Sequence, residues 1–141
     1  MEEQFIKLCK IGNLDDIKKL IATQYINIHS LDEDGFKWAC RNGHLHIVEY
    51  LTNLYKINMD YKIINIHMYS ELGFIWACKY DHKHIVKYLI NLYKINRDYK
   101  MINIYLWNEY DYDWLCYEYY IVKYLLSIGS YLPNREYVVL L

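Results

Sequence analysis

Six side chains in this sequence recur in a pattern that metal chemistry uses. Cys40, His44 and His46 form a Cys-x3-His-x-His, and Cys78, His82 and His84 repeat it 38 residues later. Thiolate and imidazole are the ligands a tetrahedral zinc site takes. Ligands must converge, however, and residues two apart on a helix do not face each other, so His44 and His46 are expected to diverge. Gly43 ends the helix that carries Cys40, which sets the thiol apart from the imidazoles. The pattern is read as structural, with no metal and no cofactor expected. No other reactive constellation is visible: there is no Gly-rich phosphate loop, no nucleophile elbow and no His-Glu-x-x-His. Asp111 and Asp113 flank Tyr112 as a solvated acidic pair would. Nucleophile, base and oxyanion donor are nowhere supplied together, so the chain is read as non-enzymatic.

The elements that must position these residues come from a repeat. Gly35-Phe36-Lys37-Trp38-Ala39-Cys40 returns as Gly73-Phe74-Ile75-Trp76-Ala77-Cys78, and a worn copy ends in Trp114-Leu115-Cys116. The tryptophans are spaced 38 residues apart, and residues 35–67 match 73–105 at 23 of 33 positions. Ile47-Val48-Glu49-Tyr50-Leu51 recurs as Ile85-Val86-Lys87-Tyr88-Leu89 and as Ile121-Val122-Lys123-Tyr124-Leu125. A fainter unit, from Cys9 through Leu14 to Leu20, precedes them at a spacing of 31. About four units follow, at 1–29, 30–67, 68–105 and 106–141, the last a degenerate cap.

Each unit reads as two short helices. Phe36, Ala39 and Cys40 fall at i, i+3 and i+4, and Ile47, Val48, Leu51, Leu54 and Tyr55 form a second stripe. Gly43 suits the positive φ of the turn between them. Asp32-Glu33-Asp34 stands where a helix start wants caps and negative charge. Ile63-Ile64-Asn65-Ile66 suggests a short extended stretch. Such a hairpin cannot bury its apolar face alone, so neighbours must stack, and the physical conclusion is an all-α helical solenoid. Cys9, Cys40, Cys78 and Cys116 then occupy one equivalent position. Packed helices lie about 8–10 Å apart, beyond the roughly 7 Å a disulfide spans, so these thiols are read as small reduced core residues. Trp38, Trp76 and Trp114 repeat in phase and are read as a packing column.

Composition narrows the function classes. Sixteen basic and seventeen acidic residues give a net charge of −1, which carries no footprint for nucleic acid. A hydrophobic share of 55% over 141 residues supplies one domain's core. Five glycines and one proline argue against an all-β, turn-rich chain. Eighteen tyrosines, with abundant isoleucine, lysine and asparagine, follow A/T-rich codon usage. No apolar run approaches the roughly 20 residues that span a bilayer, and Met1-Glu2-Glu3-Gln4 lacks the basic start of a secretory signal. An intracellular, cytoplasmic, monomeric protein with no membrane partner is expected.

Ala39-Cys40-Arg41-Asn42-Gly43-His44-Leu45-His46-Ile47-Val48-Glu49-Tyr50-Leu51 resembles the central motif of ankyrin repeats: small residues, Gly-His, then an Ile/Val-Val-x-x-Leu stripe. Residues 77–89 match it again with Asp81 in place of the glycine. The aromatic ahead of the alanine resembles the divergent type expanded in giant DNA viruses of amoebae. Asp34-Gly35-Phe36-Lys37 and Leu72-Gly73-Phe74-Ile75 stand where that family carries Thr-Pro-Leu-His, and the period of 38 exceeds the usual 33. The resemblance implies an ankyrin-type solenoid with long inter-repeat loops that binds a protein partner.

It also implies where. The family's concave groove is lined by inter-repeat tips and first-helix ends. Carried over by position, the candidates are Leu31, Glu33, Arg41, Asn42, Met68, Tyr69, Lys79, Tyr80, Trp107 and Glu109. Leu31, Tyr69 and Trp107 are equivalent tip positions. The two best copies differ mainly at Lys37/Ile75, Arg41/Lys79, Asn42/Tyr80, Leu45/Lys83, Glu49/Lys87 and Thr52/Ile90, which are read as surface positions. A protein-binding module is the leading reading. An adaptor recruiting ubiquitin-ligase machinery, or a decayed copy without a role, are the alternatives.

Overall fold

The computed structural model describes residues 1–66 and 68–95, with the side chains of all but 68–71 and 93–95. Six helices follow one another: α1 (Glu2–Ile11), α2 (Leu14–Thr23), α3 (Ser30–Asn42), α4 (Leu45–Ile57), α5 (Met68–Lys79) and α6 (Lys83–Ile95). They pair as hairpins α1–α2, α3–α4 and α5–α6. No strand occurs among the described residues, so Ile63–Ile66 is extended only in its alternation, with Ile64 and Ile66 buried and Ile63 exposed. The fold is the expected helical solenoid.

The stacking is two-layered and unequal. α1 lies against α3 and α3 against α5 along their lengths, whereas α4 and α6 touch only slightly. The first-helix layer thus carries the more extensive packing between units. Its chemistry explains the recurring hexapeptide. A Cβ on Gly35 would meet Phe5 Cε1 at 2.6 Å and Cys9 Sγ at 3.2 Å; one on Gly73 would meet Phe36 Cε1 at 2.8 Å and Cys40 Sγ at 3.3 Å. Each unit's glycine is thus the seat for the phenylalanine and cysteine of the unit before. Phe5, Phe36 and Phe74 are at most 1% exposed. Burial also pushes the thiols of Cys9 and Cys40 well above their ordinary range, and that of Cys78 up to about 12.

The hairpin turns close identically. Gly12 and Gly43 adopt φ 86° and φ 80°. Asn13, His44 and His82 donate their N–H to the carbonyls of Leu8, Ala39 and Ala77, the longer bond of a Schellman closure. Asn13 caps its own helix, its Oδ1 accepting from the Asp16 N–H at 3.1 Å. His44 and His82, at the equivalent position, reach instead to the unit before. Their Nε2 atoms donate to the Lys10 carbonyl at 3.0 Å and the Arg41 carbonyl at 2.7 Å. Those carbonyls end α1 and α3, where no intrahelical donor remains.

The start of α3 departs from expectation. Leu31, Asp32 and Glu33 have φ of 51°, 54° and 65°, so the right-handed helix begins only after Glu33. His29, at the N-terminal boundary of α3, makes no side-chain cap bond. Each such non-glycine residue costs roughly 1–2 kcal/mol, and a buried carboxylate offsets part of it. Glu33 accepts from His29 Nδ1 at 2.7 Å and from the Asn65 N–H at 3.0 Å, in the segment leading to the next unit. Glu2, one unit earlier, makes a longer version of that contact to the Asn27 N–H at 3.4 Å. Glu33 Oε2 and His29 Nε2 are buried and carry no hydrogen bond among the described residues. Replacing Glu33 by alanine orphans the Asn65 N–H and should lower stability by about 2 kcal/mol in urea melts. A loss under about 0.5 kcal/mol would contradict that role.

Candidate functional site

The face of the first-helix layer that the second layer leaves uncovered carries a column of cations and rings. Lys10, Arg41 and Lys79 occupy one equivalent position at the C-terminal ends of α1, α3 and α5. One turn earlier, Trp38 and Trp76 project from the same faces of α3 and α5. Their ring centroids are 5.6 Å apart at 45°, so the expected tryptophan column exists for these two; Trp114 lies outside the described residues. Lys10 Nζ stands 4.2 Å from the Trp38 centroid. The Arg41 guanidinium lies 4.7 Å from Trp38, 5.6 Å from Trp76 and 4.9 Å from Tyr80. It also donates to the Tyr80 hydroxyl at 3.1 Å, and Lys79 Nζ lies 5.4 Å from the Tyr80 ring. Such contacts contribute about 0.5–2 kcal/mol each, depending on desolvation.

Electrostatics follow from that geometry. The Arg41 hydrogen bond holds the Tyr80 phenol below the ordinary tyrosine range, helped by the charges of Lys79 and Arg41 and opposed by slight desolvation. A lowered phenol pKa means tyrosinate forms at lower pH here than at ordinary tyrosines. In an NMR titration of the ring carbon bearing the hydroxyl, Tyr80 should therefore ionise early, and Arg41→Gln should move its midpoint upwards. An unchanged midpoint in the variant would remove Arg41 as the cause.

The expected contact residues divide. Arg41, Lys79 and Tyr80 meet in the column. Leu31 is 67% exposed in the left-handed turn that opens α3. Asn42 is tied to the scaffold, its Nδ2 donating to the Lys10 carbonyl at 2.8 Å. Glu33, expected at the accessible tip, is 3% exposed and is taken up by His29 and Asn65. The side chains of Met68 and Tyr69, and all of Trp107 and Glu109, lie outside what the structure describes.

Two other expectations need correction. The positions at which the copies differ are not all surface. Lys37 is 5% exposed, with Nζ 3.4 Å from Asp34 Oδ1 and 3.4 Å from the Leu31 carbonyl. Thr52 is buried too: it donates to the Val48 carbonyl at 2.8 Å and accepts from the Tyr88 hydroxyl at 2.6 Å. Nor do His44 and His46 diverge. Their rings meet edge-on at 6.0 Å because His44 stands at the N-cap, outside the helical spacing. His46 Nε2 donates to the Gly12 carbonyl at 3.1 Å, so both imidazoles hold the preceding turn. Among the described residues no group of three or more His, Cys, Asp or Glu is placed to hold a metal ion. The sequence reading takes Trp38 and Trp76 as a packing column, which they form, but does not join them to Lys10 and Arg41. Their spacing of three from each cation, repeated in two units, was the signal that joined them.

The family description "Ankyrin repeats (3 copies)" matches residues 5–101. The chain belongs to the ankyrin-repeat family. No curated protein and no solved structure gives a match. Ankyrin repeats are non-enzymatic modules that mediate protein–protein interaction, and the matched span contains all three described hairpins apart from the first residues of α1. No helix among the described residues is long and apolar enough to cross a membrane.

Proposed function

We propose that this ankyrin-repeat protein is a binding module that grips a protein partner along the first-helix layer, with Arg41, Lys79 and Tyr80 at the centre and Leu31 at the rim. The carrying observation is the half-exposed column of Trp38, Arg41, Trp76 and Tyr80. Tryptophan, tyrosine and arginine dominate binding energy where they cluster, because each covers much apolar area while keeping a directed polar group. Here the rings and the guanidinium already restrain one another, so little side-chain freedom is lost on contact. Asn42, Met68, Tyr69 and Trp107 extend the same surface by repeat position, whereas Glu109 shares the repeat position of the buried Glu33. The aromatic before each alanine supports placing the chain with the divergent repeats of giant DNA viruses of amoebae.

A photo-crosslinking residue placed at position 80, compared with one at Lys87 on the second-helix layer, tests the assignment in the cells of origin. A discrete protein adduct is expected at 80 and should be lost when Trp76→Ala is added. Equal labelling at both positions, or none at 80, would overturn it.

A further inference from the structure

Resting on that reading, we infer that the partner segment is acidic, with carboxylates at every third residue, docked along the Lys10–Arg41–Lys79 column. Three observations support this. The three cations sit at one repeat position, on one end of three stacked helices, whereas Glu2, Glu3 and Asp34 sit at the opposite ends of α1 and α3. Two of those acids are engaged within the fold: Glu2 by the Asn27 N–H and Asp34 by Lys37. The helix-end carbonyls of Lys10 and Arg41, which would otherwise repel an anion, are covered by His44 and His82. The column therefore presents donors and positive charge, with Asp81 as the acidic neighbour on its far flank.

Spacing sets the register of the guest. Packed helices repeat about every 8–10 Å. A polyproline-type strand rises about 3.1 Å per residue and completes a turn in three, so its residues i, i+3 and i+6 face one side about 9 Å apart. One carboxylate then meets each cation. Single-stranded nucleic acid also pairs basic grooves with aromatic rings, but it needs free ring faces for its bases. Here Arg41 already lies over Trp38, Trp76 and Tyr80, and Lys10 over Trp38 as well, which leaves fewer ring faces open to bases.

Calorimetric titration of the full chain with a synthetic (Glu-Pro-Pro)3 peptide tests this. Binding should weaken at least about fivefold in Arg41→Gln, and likewise in the double variant Lys10→Gln with Lys79→Gln, whose exposed side chains leave the core intact. Raising the salt across the range where the Debye length falls from about 10 Å to 3 Å should weaken it further. A peptide of the same composition with its three glutamates adjacent should bind more weakly. Equal or tighter binding of (Lys-Pro-Pro)3 or of oligothymidylate, or indifference to both sets of variants, would overturn the inference. A partner crosslinked at position 80 through a segment without acidic residues would also overturn it, while leaving the binding-module reading in place.

Discussion

Phe36→Ala should lower the stability of this protein by about 3–5 kcal/mol, the range for emptying a fully buried aromatic site. Phe36 is 1% exposed, and its ring edge fills the space that the missing Cβ of Gly73 leaves open. The loss falls on the contact between the second and third hairpins as well as within the second. In a stack whose stability is a sum of unit and nearest-neighbour contributions, weakening one interior junction uncouples the two sides. Denaturant unfolding followed by circular dichroism should therefore change from one transition to two, or broaden visibly, besides shifting its midpoint. Phe5→Ala removes the same ring from the first hairpin, and its effect should be confined to exchange of amides in α1 and α2. A single sharp transition in Phe36→Ala with less than about 1 kcal/mol lost would mean that the phenylalanine–glycine seat does not hold the stack.

That seat was half legible beforehand. The recurrence of Gly35-Phe36 with Ala39-Cys40 placed two stripes on a helix and required stacking. What it concealed was that the glycine serves the preceding unit's ring rather than its own helix, because periodicity shows equivalence and not contact. The acidic start of α3 shows a different limit. Asp32-Glu33-Asp34 has the composition of an exposed capped turn, yet Glu33 is drawn inside by a backbone N–H 32 residues ahead. A tertiary partner of that kind leaves no local trace, although the repeat of Glu33 at Glu71 and Glu109 does mark a position under constraint. Lys37 misled for a related reason: its alkyl stem packs in the layer while its charge meets Asp34, so an apolar equivalent, Ile75, occupies the same place. The binding column was legible as residues and illegible as a site. Arg41 and Tyr80 follow from first-helix ends, but the rings that sandwich the guanidinium read from the sequence only as a packing column.

Gly43→Ala tests the turn chemistry and should lower stability by about 2–3 kcal/mol. A Cβ there would sit at φ 80° and within 2.6 Å of His82 Nδ1. The left-handed conformation accounts for roughly 1–2 kcal/mol of the loss. Displacing the imidazole breaks the His82 bond to the Arg41 carbonyl and adds about 1 kcal/mol. Gly12 faces His44 in the same way. The third hairpin carries Asp81 at φ 61° where the first two carry glycine. An aspartate tolerates the left-handed backbone through its short polar side chain, so the backbone conformation alone does not demand glycine, and at Gly43 the His82 ring adds to the choice. Gly43→Asp should accordingly be markedly less harmful in a His82→Ala background than in the wild type. The double-mutant cycle should show a coupling of about 1 kcal/mol or more. Strict additivity would mean that backbone strain alone fixes the glycine, and that the imidazole adds nothing to the choice.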